Sequence, residues 1–229
     1  MNIDIVNQEA INNEVSLRVR EKQGIKHKQP YLYVKRRIDI VLSSIALVLL
    51  SPIFIIISIA IKLESKGPVF FGHTRIGKNG KTIKIYKFRS MVQNAEDLIK
   101  EFTPEQMKEY KENYKLTNDP RITKVGKFIR KTSLDELPQL INIIKGDLSI
   151  IGPRPVVADE LKKYEHNIDK FLSVTPGLTG YWATNGRSNT TYEQRMEMEL
   201  YYIDNISFKM DVKVFFKTIE SVIKKEGAI

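Results

Sequence analysis

Asp135 and Glu136 stand side by side in TSLDELPQL (132–140), in a chain whose charge is otherwise strongly positive. Two neighbouring carboxylates admit two readings. They suit the first turn of a helix, where acids oppose the helix dipole. They also suit metal ligation or attack on phosphorus, because an ionised carboxylate is a hard oxygen ligand and a nucleophile. Four arginines go with them: Arg89 in KFRSM, Arg130 in KFIRK, Arg154 in GPRP and Arg187 in NGRS; Lys87 lies two residues before Arg89. Guanidinium forks match phosphate oxygens. The bland alternative is a set of unrelated surface arginines and a solvated lysine face.

The elements that must position these residues can be outlined from the pattern. Leu137, Leu140, Ile141 and Ile144 recur at helical spacing. Ser133 and Glu136 have capping-box spacing, while Pro138 fits a helix that starts nearer Asp135. Either start puts both acids at a helix N-terminus, where the dipole favours their ionised form. Gly152-Pro153-Arg154-Pro155 holds one arginine between two prolines, so a stiff, extended loop presents it. TPGLTGYWATNGRS (175–188) is a Gly-rich loop that closes on Arg187. Lys78-Asn79-Gly80-Lys81 is a turn, and Thr82, Ile83, Ile85, Tyr86 and Phe88 read as a strand after it, which predicts a hairpin. Residues 94–116 are charged and read as helix.

From Ile40 to Ile61 the chain carries no charge. As one straight helix these residues would reach about 33 Å, enough for a hydrocarbon core of about 30 Å. Ser51-Pro52 interrupts the run, and proline breaks an interior helix. Lys35-Arg36-Arg37 precede it; Lys62 and Lys66 follow. Basic flanks stay cytoplasmic, so both readings stay open on these residues: a crossing helix, or one that bends at Ser51-Pro52 and returns. The C-terminal helix carries Phe208, Val212, Phe215, Phe216, Ile219 and Ile223 on one side, and Lys209, Lys213, Lys217, Lys224 and Lys225 on the other. It either packs on the core or lies on an anionic membrane surface.

Composition narrows the classes. The chain has 229 residues and a formal charge of +10, with no cysteine. Disulfides and thiolate metal sites are excluded, and three scattered histidines (His27, His73, His166) offer no ligand spacing. A basic surface suits nucleic acid, anionic lipid or a phosphorylated small molecule. A membrane-tethered nucleic-acid binder and a non-catalytic scaffold are the rival readings. Both leave the Asp-Glu pair and the GPRP loop without a purpose.

In order, KRRIDI, LLSPI, KIYKFRSM, DPRITKVGKFIRKTSLDELPQL, GDLSIIGPRP, PGLTGYWATNGR and YYIDNISFKMDVKVFFKT resemble the bacterial polyprenyl-phosphate phosphoglycosyl transferases, over about residues 33–229. The resemblance implies transfer of a sugar phosphate from a UDP-sugar to polyprenyl (undecaprenyl) phosphate, with release of UMP, as a first step of polysaccharide or glycan assembly. It implies Asp135 as the nucleophile that takes the phosphosugar, Glu136 as its dyad partner, and Mg²⁺ at both. Lys87, Arg130, Arg154 and Arg187 fall on positions that contact phosphate or support the site. Ser51-Pro52 falls on a re-entrant bend. The expected protein is mixed α/β and helix-dominated, monotopic in the bacterial cytoplasmic membrane. A polar extension (1–30), a re-entrant membrane helix (31–66) and a catalytic domain facing the cytoplasm (67–229) with interfacial helices would make it up. Anionic lipids, downstream glycosyltransferases and a second copy of the chain are candidate partners; nucleic acid is not expected. The sugar cannot be read from these motifs.

Overall fold

The computed structural model describes residues 29–113 and 116–224. The polar extension lies outside them except for its last two residues, which open the first helix. The apolar segment forms two helices, α1 (Gln29–Leu49) and α2 (Ser51–Glu64), bent by 60° at the break. Pro52 is the cause. Inside a continuous helix it would forfeit a hydrogen bond and clash with the preceding turn; in the first turn of α2 neither cost arises. Among the described residues no single helix is long and apolar enough to cross a membrane; this pair passes only together.

The remaining elements are β1 (Phe70–Ile76), β2 (Thr82–Phe88), α3 (Pro104–Asn113), α4 (Lys124–Lys131), α5 (Gln139–Lys145), β3 (Ser149–Ile151), α6 (Ala158–Lys162), α7 (Ile168–Leu172), β4 (Gly177–Thr179), α8 (Tyr181–Asn185), α9 (Tyr192–Asp204) and α10 (Phe208–Lys224). Helices dominate, with two small sheets, β1-β2 and parallel β3-β4. The hairpin turns where expected, with Asn79 at φ 57° and Gly80 at φ 74°, the left-handed region these two residues tolerate best. The helix expected over 94–116 is broken. A 3-10 turn at Asp97–Glu101 ends, and α3 starts afresh behind Thr103. Thr103 and Gln106 cap it reciprocally at 3.2 and 3.0 Å, a box that TPEQ spells and that the charge pattern hid.

The chain packs as two compact units that are not consecutive stretches: residues 29–48, 72–86 and 139–224 in the first, and 49–71 and 87–138 in the second. The first unit has a core of Ile76, Ile151, Val156, Leu161, Tyr164, Phe171, Leu172, Val174, Tyr202, Ile203, Ile206 and Val214. β3 and β4 run through it with Ser149 opposite Gly177 and Ile151 opposite Thr179. Past β3 the two motifs GPRP and PGLTG touch backbone to backbone: a Cβ on Gly177 would lie 2.1 Å from the Gly152 nitrogen. Only glycine allows that approach.

The foot of α1 is built into this unit. Lys35 pairs with Asp211 at 2.5 Å, Arg36 donates to the carbonyls of Ile143 and Ile144, and Asp39 accepts from Ser149 Oγ (2.7 Å) and Ile150 N (3.2 Å). Two of the three flanking cations therefore act inside the protein, whereas the sequence suggested a topological signal alone. Along α1, Val41, Leu42, Ile45, Val48 and Leu49 remain exposed. On α10, Asp211 and Val214 face inward, while Phe208, Val212, Phe215, Phe216 and Ile219 face out. Of the two readings left open for this stripe, the packed one does not hold: it is uncovered.

The second unit packs Ile57 and Ile61 of α2 against Phe88 and Ile129, with Phe54, Val69, Val125, Leu134 and Leu137 around them. The Phe88 ring lies 5.2 Å from that of Phe54 and 5.4 Å from that of Phe70.

Candidate active site

The acid pair lies in the second unit, on a 3-10 turn, Leu134–Glu136. α4 leads into it. Thr123 caps α4 by accepting from Gly126 N at 2.9 Å. Gly126 sits so close to Ser90 that a Cβ would meet its carbonyl oxygen at 2.0 Å. After α4 the chain reverses through Ser133, at φ 55°. Ser133 makes no cap, so the capping box read from Ser133 and Glu136 does not form. α5 begins only at Gln139, just after Pro138, which has no N–H to offer a preceding turn. The acids therefore precede the helix, and its dipole is not what governs them.

Asp135 is 8% exposed. Burial pushes its pKa up and Glu136 adds to the rise; Lys87 and Arg130 pull it down, without cancelling the burial. Lys87 Nζ donates to Glu136 Oε1 at 2.6 Å and stands 3.8 Å from Asp135 Oδ2. Behind them Arg130 donates through Nε to Ser90 Oγ at 2.8 Å. Ser90 is itself fixed by the pairing of its loop with DPRIT, through the Met91–Ile122 bridge and the Thr123 N to Ser90 O bond (3.1 Å). In that loop Asp119 and Arg121 form a buried pair at 2.6 Å, and Arg121 lies 5.1 Å from the ring centres of Phe102 and Tyr110.

The structure thus brings together Asp135, Glu136, Lys87 and Arg130. Arg89 has a different setting: buried, its Nη1 and Nη2 donate to the carbonyls of Lys66 (2.5 Å) and Ser65 (2.8 Å), so it holds the segment that follows α2. Arg154 and Arg187 belong to the first unit. Arg154 is exposed. Arg187 has a left-handed backbone at φ 47°, uncommon for a residue with a Cβ.

The carboxylate pair suits a hard divalent cation, since Mg²⁺ commonly takes one or two carboxylates and completes its shell with substrate phosphates and water. Glu136 keeps about a third of its side-chain surface open. Among the described residues no group of three or more acid or histidine side chains gathers into a metal cage.

Residues 30–225 match the family described as bacterial sugar transferase. The chain belongs to that family. It is 43% identical over 204 residues to an undecaprenyl-phosphate galactose phosphotransferase of Salmonella typhimurium, covering 88% of this chain and 43% of that one. It is 42% identical over 195 residues to a UDP-glucose:undecaprenyl-phosphate glucose-1-phosphate transferase of Escherichia coli, covering 81% and 39%. With an exopolysaccharide production protein (ExoY) of Rhizobium meliloti it shares 44% identity over 197 residues, 85% of this chain and 87% of that one. The chain therefore matches about two fifths of the first two relatives and most of the third.

Within this bacterial sugar transferase the sequence reading missed a second polar cluster, in the first unit. Glu199 of α9 is buried and accepts from the backbone N–H of Arg154 at 3.0 Å. Burial raises its pKa to about 7, against the opposing pull of that hydrogen bond and of Arg195 and Arg154. Arg195 meets Glu160 at 3.4 Å and lies over the Trp182 ring (4.8 Å) and the Tyr192 ring (5.1 Å). Arg75 faces Glu160 at 3.6 Å. In the sequence these residues look like the ordinary charges of an exposed helix. The signal that could have found Glu199 is the Pro-Arg-Pro triplet, whose single N–H needs an acceptor.

Proposed function

We propose that the protein transfers a sugar 1-phosphate from a UDP-sugar to polyprenyl phosphate at the cytoplasmic face of a bacterial membrane, releasing UMP. The observation that carries this is the Asp135–Glu136 pair gripped by Lys87 with Arg130 behind it, in a member of the bacterial sugar transferase family. That constellation gives the transferase reading a support that the nucleic-acid and scaffold readings lack.

In the first half-reaction an Asp135 carboxylate oxygen attacks the phosphorus that carries the sugar. A P–O bond forms to Asp135, the P–O bond to the bridging oxygen breaks, and UMP departs with that oxygen. An acyl phosphate remains. In the second, a phosphate oxygen of the polyprenyl phosphate attacks the same phosphorus, and Asp135 regains its carboxylate. Burial makes Asp135 more basic, hence a better nucleophile once ionised, and Lys87 favours the ionised form. Arg130 adds positive charge where phosphate negative charge accumulates. Glu136, bonded to Lys87, keeps that ammonium beside Asp135. Asp135 and Glu136 would hold Mg²⁺ together with the diphosphate, and the ion would supply charge neutralisation. Arg154 and Arg187 are proposed to bind substrate phosphates.

The membrane reading rests on the uncovered apolar residues of α1, α2 and α10, with Lys209, Lys213 and Lys217 along the last. We read α1 and α2 as a re-entrant pair bent at Ser51-Pro52, and α10 as a helix lying on anionic lipid.

The test is direct. Purified protein receives a panel of UDP-sugars with Mg²⁺ and no lipid. Intact mass and peptide mapping should find a phosphosugar on residues 135–136 and a matching burst of UMP, both lost in Asp135→Asn and after metal removal. Turnover on undecaprenyl phosphate without any adduct, obeying a ternary-complex rate law, would refute the covalent route. An Asp135→Asn protein that keeps full activity would refute the site.

A further inference from the structure

The loop that presents Arg154 has few ways to be held. Pro153 and Pro155 lack an N–H, so Arg154 carries the only backbone donor of the triplet. That donor goes to Glu199 Oε1 at 3.0 Å. Upstream, Gly152 N bonds Thr179 O at 2.9 Å and Gly177 N bonds Pro153 O at 2.8 Å, both fixed by the β3-β4 crossing. Beyond Pro153 the tether to α9 is the next polar anchor, and it comes from a carboxyl that is 1% exposed. Burying a carboxyl is costly unless it is bonded. Its other oxygen, Oε2, has no hydrogen-bond partner among the described residues, nor have Nε and Nη2 of Arg195 one turn earlier. Tyr164 and Tyr192 are the other titratable groups whose charge Glu199 feels or perturbs. Trp182, 5.9 Å from the Arg154 guanidinium, closes the seat.

We propose that Glu199 is a positioning residue that fixes the Arg154 loop by holding its only backbone N–H, so that the Arg154 guanidinium is pre-set for a substrate phosphate. This rests on the function proposed above for its second half; the tether itself does not. A pre-set guanidinium costs less order on binding than a mobile one. Loss of the tether therefore weakens substrate binding and leaves the chemical step at Asp135 largely alone. A side-chain amide can replace the carboxyl, because an acceptor oxygen is all that the N–H requires.

Two measurements separate the parts. The first is hydrogen exchange at the Arg154 amide, which needs no activity. It should be protected in the wild type and in Glu199→Gln, and open in Glu199→Ala. Equal exchange in Gln and Ala, or no protection in the wild type, overturns the tether. The second is UMP release against UDP-sugar concentration. Glu199→Ala should raise KM about 10-fold or more with kcat within about 3-fold, while Glu199→Gln stays close to wild type. Adding Glu199→Ala to Arg154→Ala should cost little more than Arg154→Ala alone, because one acts through the other. Losses that multiply, or a fall in kcat at unchanged KM, overturn the positioning role. If Glu199→Ala does not fold, Glu199→Asp decides: its carboxyl is one methylene short, so KM rises where Gln leaves it normal, and equal KM values refute the proposal. A wild type that protects the Arg154 amide yet releases no UMP from any UDP-sugar defeats the proposed function while sustaining the tether.

Discussion

A carboxyl buried on an interior helix face should write itself into the pH dependence of folding. Glu199 has its pKa raised from 4.5 to about 7, chiefly by burial. The folded chain thus holds this proton more tightly than the unfolded chain does. The stabilisation is complete below pH 4.5 and is lost as pH rises through 7. The gap of about 2.5 between the two values, at about 1.4 kcal/mol for each, comes to about 3 kcal/mol. Most of it, about 2.5 kcal/mol, falls between pH 5 and 8. Glu199→Gln removes the titration and keeps the shape and the acceptor. Urea unfolding of both proteins in detergent micelles, at four pH values from 5 to 8, gives the difference free of every other titrating group. Wild type should lose about 2.5 kcal/mol relative to Glu199→Gln across that range. Parallel curves would show that Glu199 does not titrate there. A wild type that gains on the variant as pH rises would show that Arg195 and Arg154 hold it ionised after all, and the burial argument would fall.

Lys87→Met should push the Asp135 pKa higher still and move the acid limb of the UMP-release pH profile to higher pH, so that activity falls by about 10-fold or more at pH 6 and less at pH 8; superimposable profiles would remove Lys87 from the site. Gly177→Ala forces a Cβ to 2.1 Å from the Gly152 nitrogen, and should cost about 3 kcal/mol or more, visible as a drop in thermal midpoint; an unchanged midpoint would show that the crossing can relax. Cysteines placed singly at Tyr33 and Lys66, both exposed, should both resist membrane-impermeant thiol reagents in intact cells, and labelling of only one would mean that the apolar pair crosses.

How much of this could be read in the sequence depended on how far apart the partners lie. The hairpin was legible, because Asn79-Gly80 and the alternating Ile83 and Ile85 are a local code. The break at Pro52 was legible for the same reason. The gathering of Lys87, Arg130 and Asp135 was suggested by residue type, but nothing local says that α4 meets the loop after β2 through Gly126 and Ser90. Arg89 shows the limit. It looks like another phosphate ligand, yet it donates to two backbone carbonyls 23 and 24 residues earlier and to the Ser65 hydroxyl, which no pattern announces. Ser133 looked like a cap because capping is a matter of spacing, and spacing does not reveal a residue that turns left-handed. Glu199 looked like one more charge in YEQRMEMELYYID, since which face of α9 turns inward is decided by tertiary packing. The apolar stripe of α10 left two readings open, core or surface, and only the packing of Asp211 and Val214 inward shows that the stripe itself is exposed.

Because Lys35, Arg36 and Asp39 are spent on Asp211, the α5 carbonyls and β3, the first helix is not a detachable leash. An enzyme whose anchor merely tethers it can exchange that anchor for another, or be trimmed to a water-soluble fragment that still works. Here trimming would strand Asp211 without its lysine and leave the last turn of α5 with bare carbonyls, inside the unit that also seats Arg154. Changes in the exposed apolar residues of α1 should drift freely in size and branching, while Lys35, Arg36 and Asp39 should be interchangeable with nothing. A foreign apolar helix grafted in place of α1 would not restore the protein.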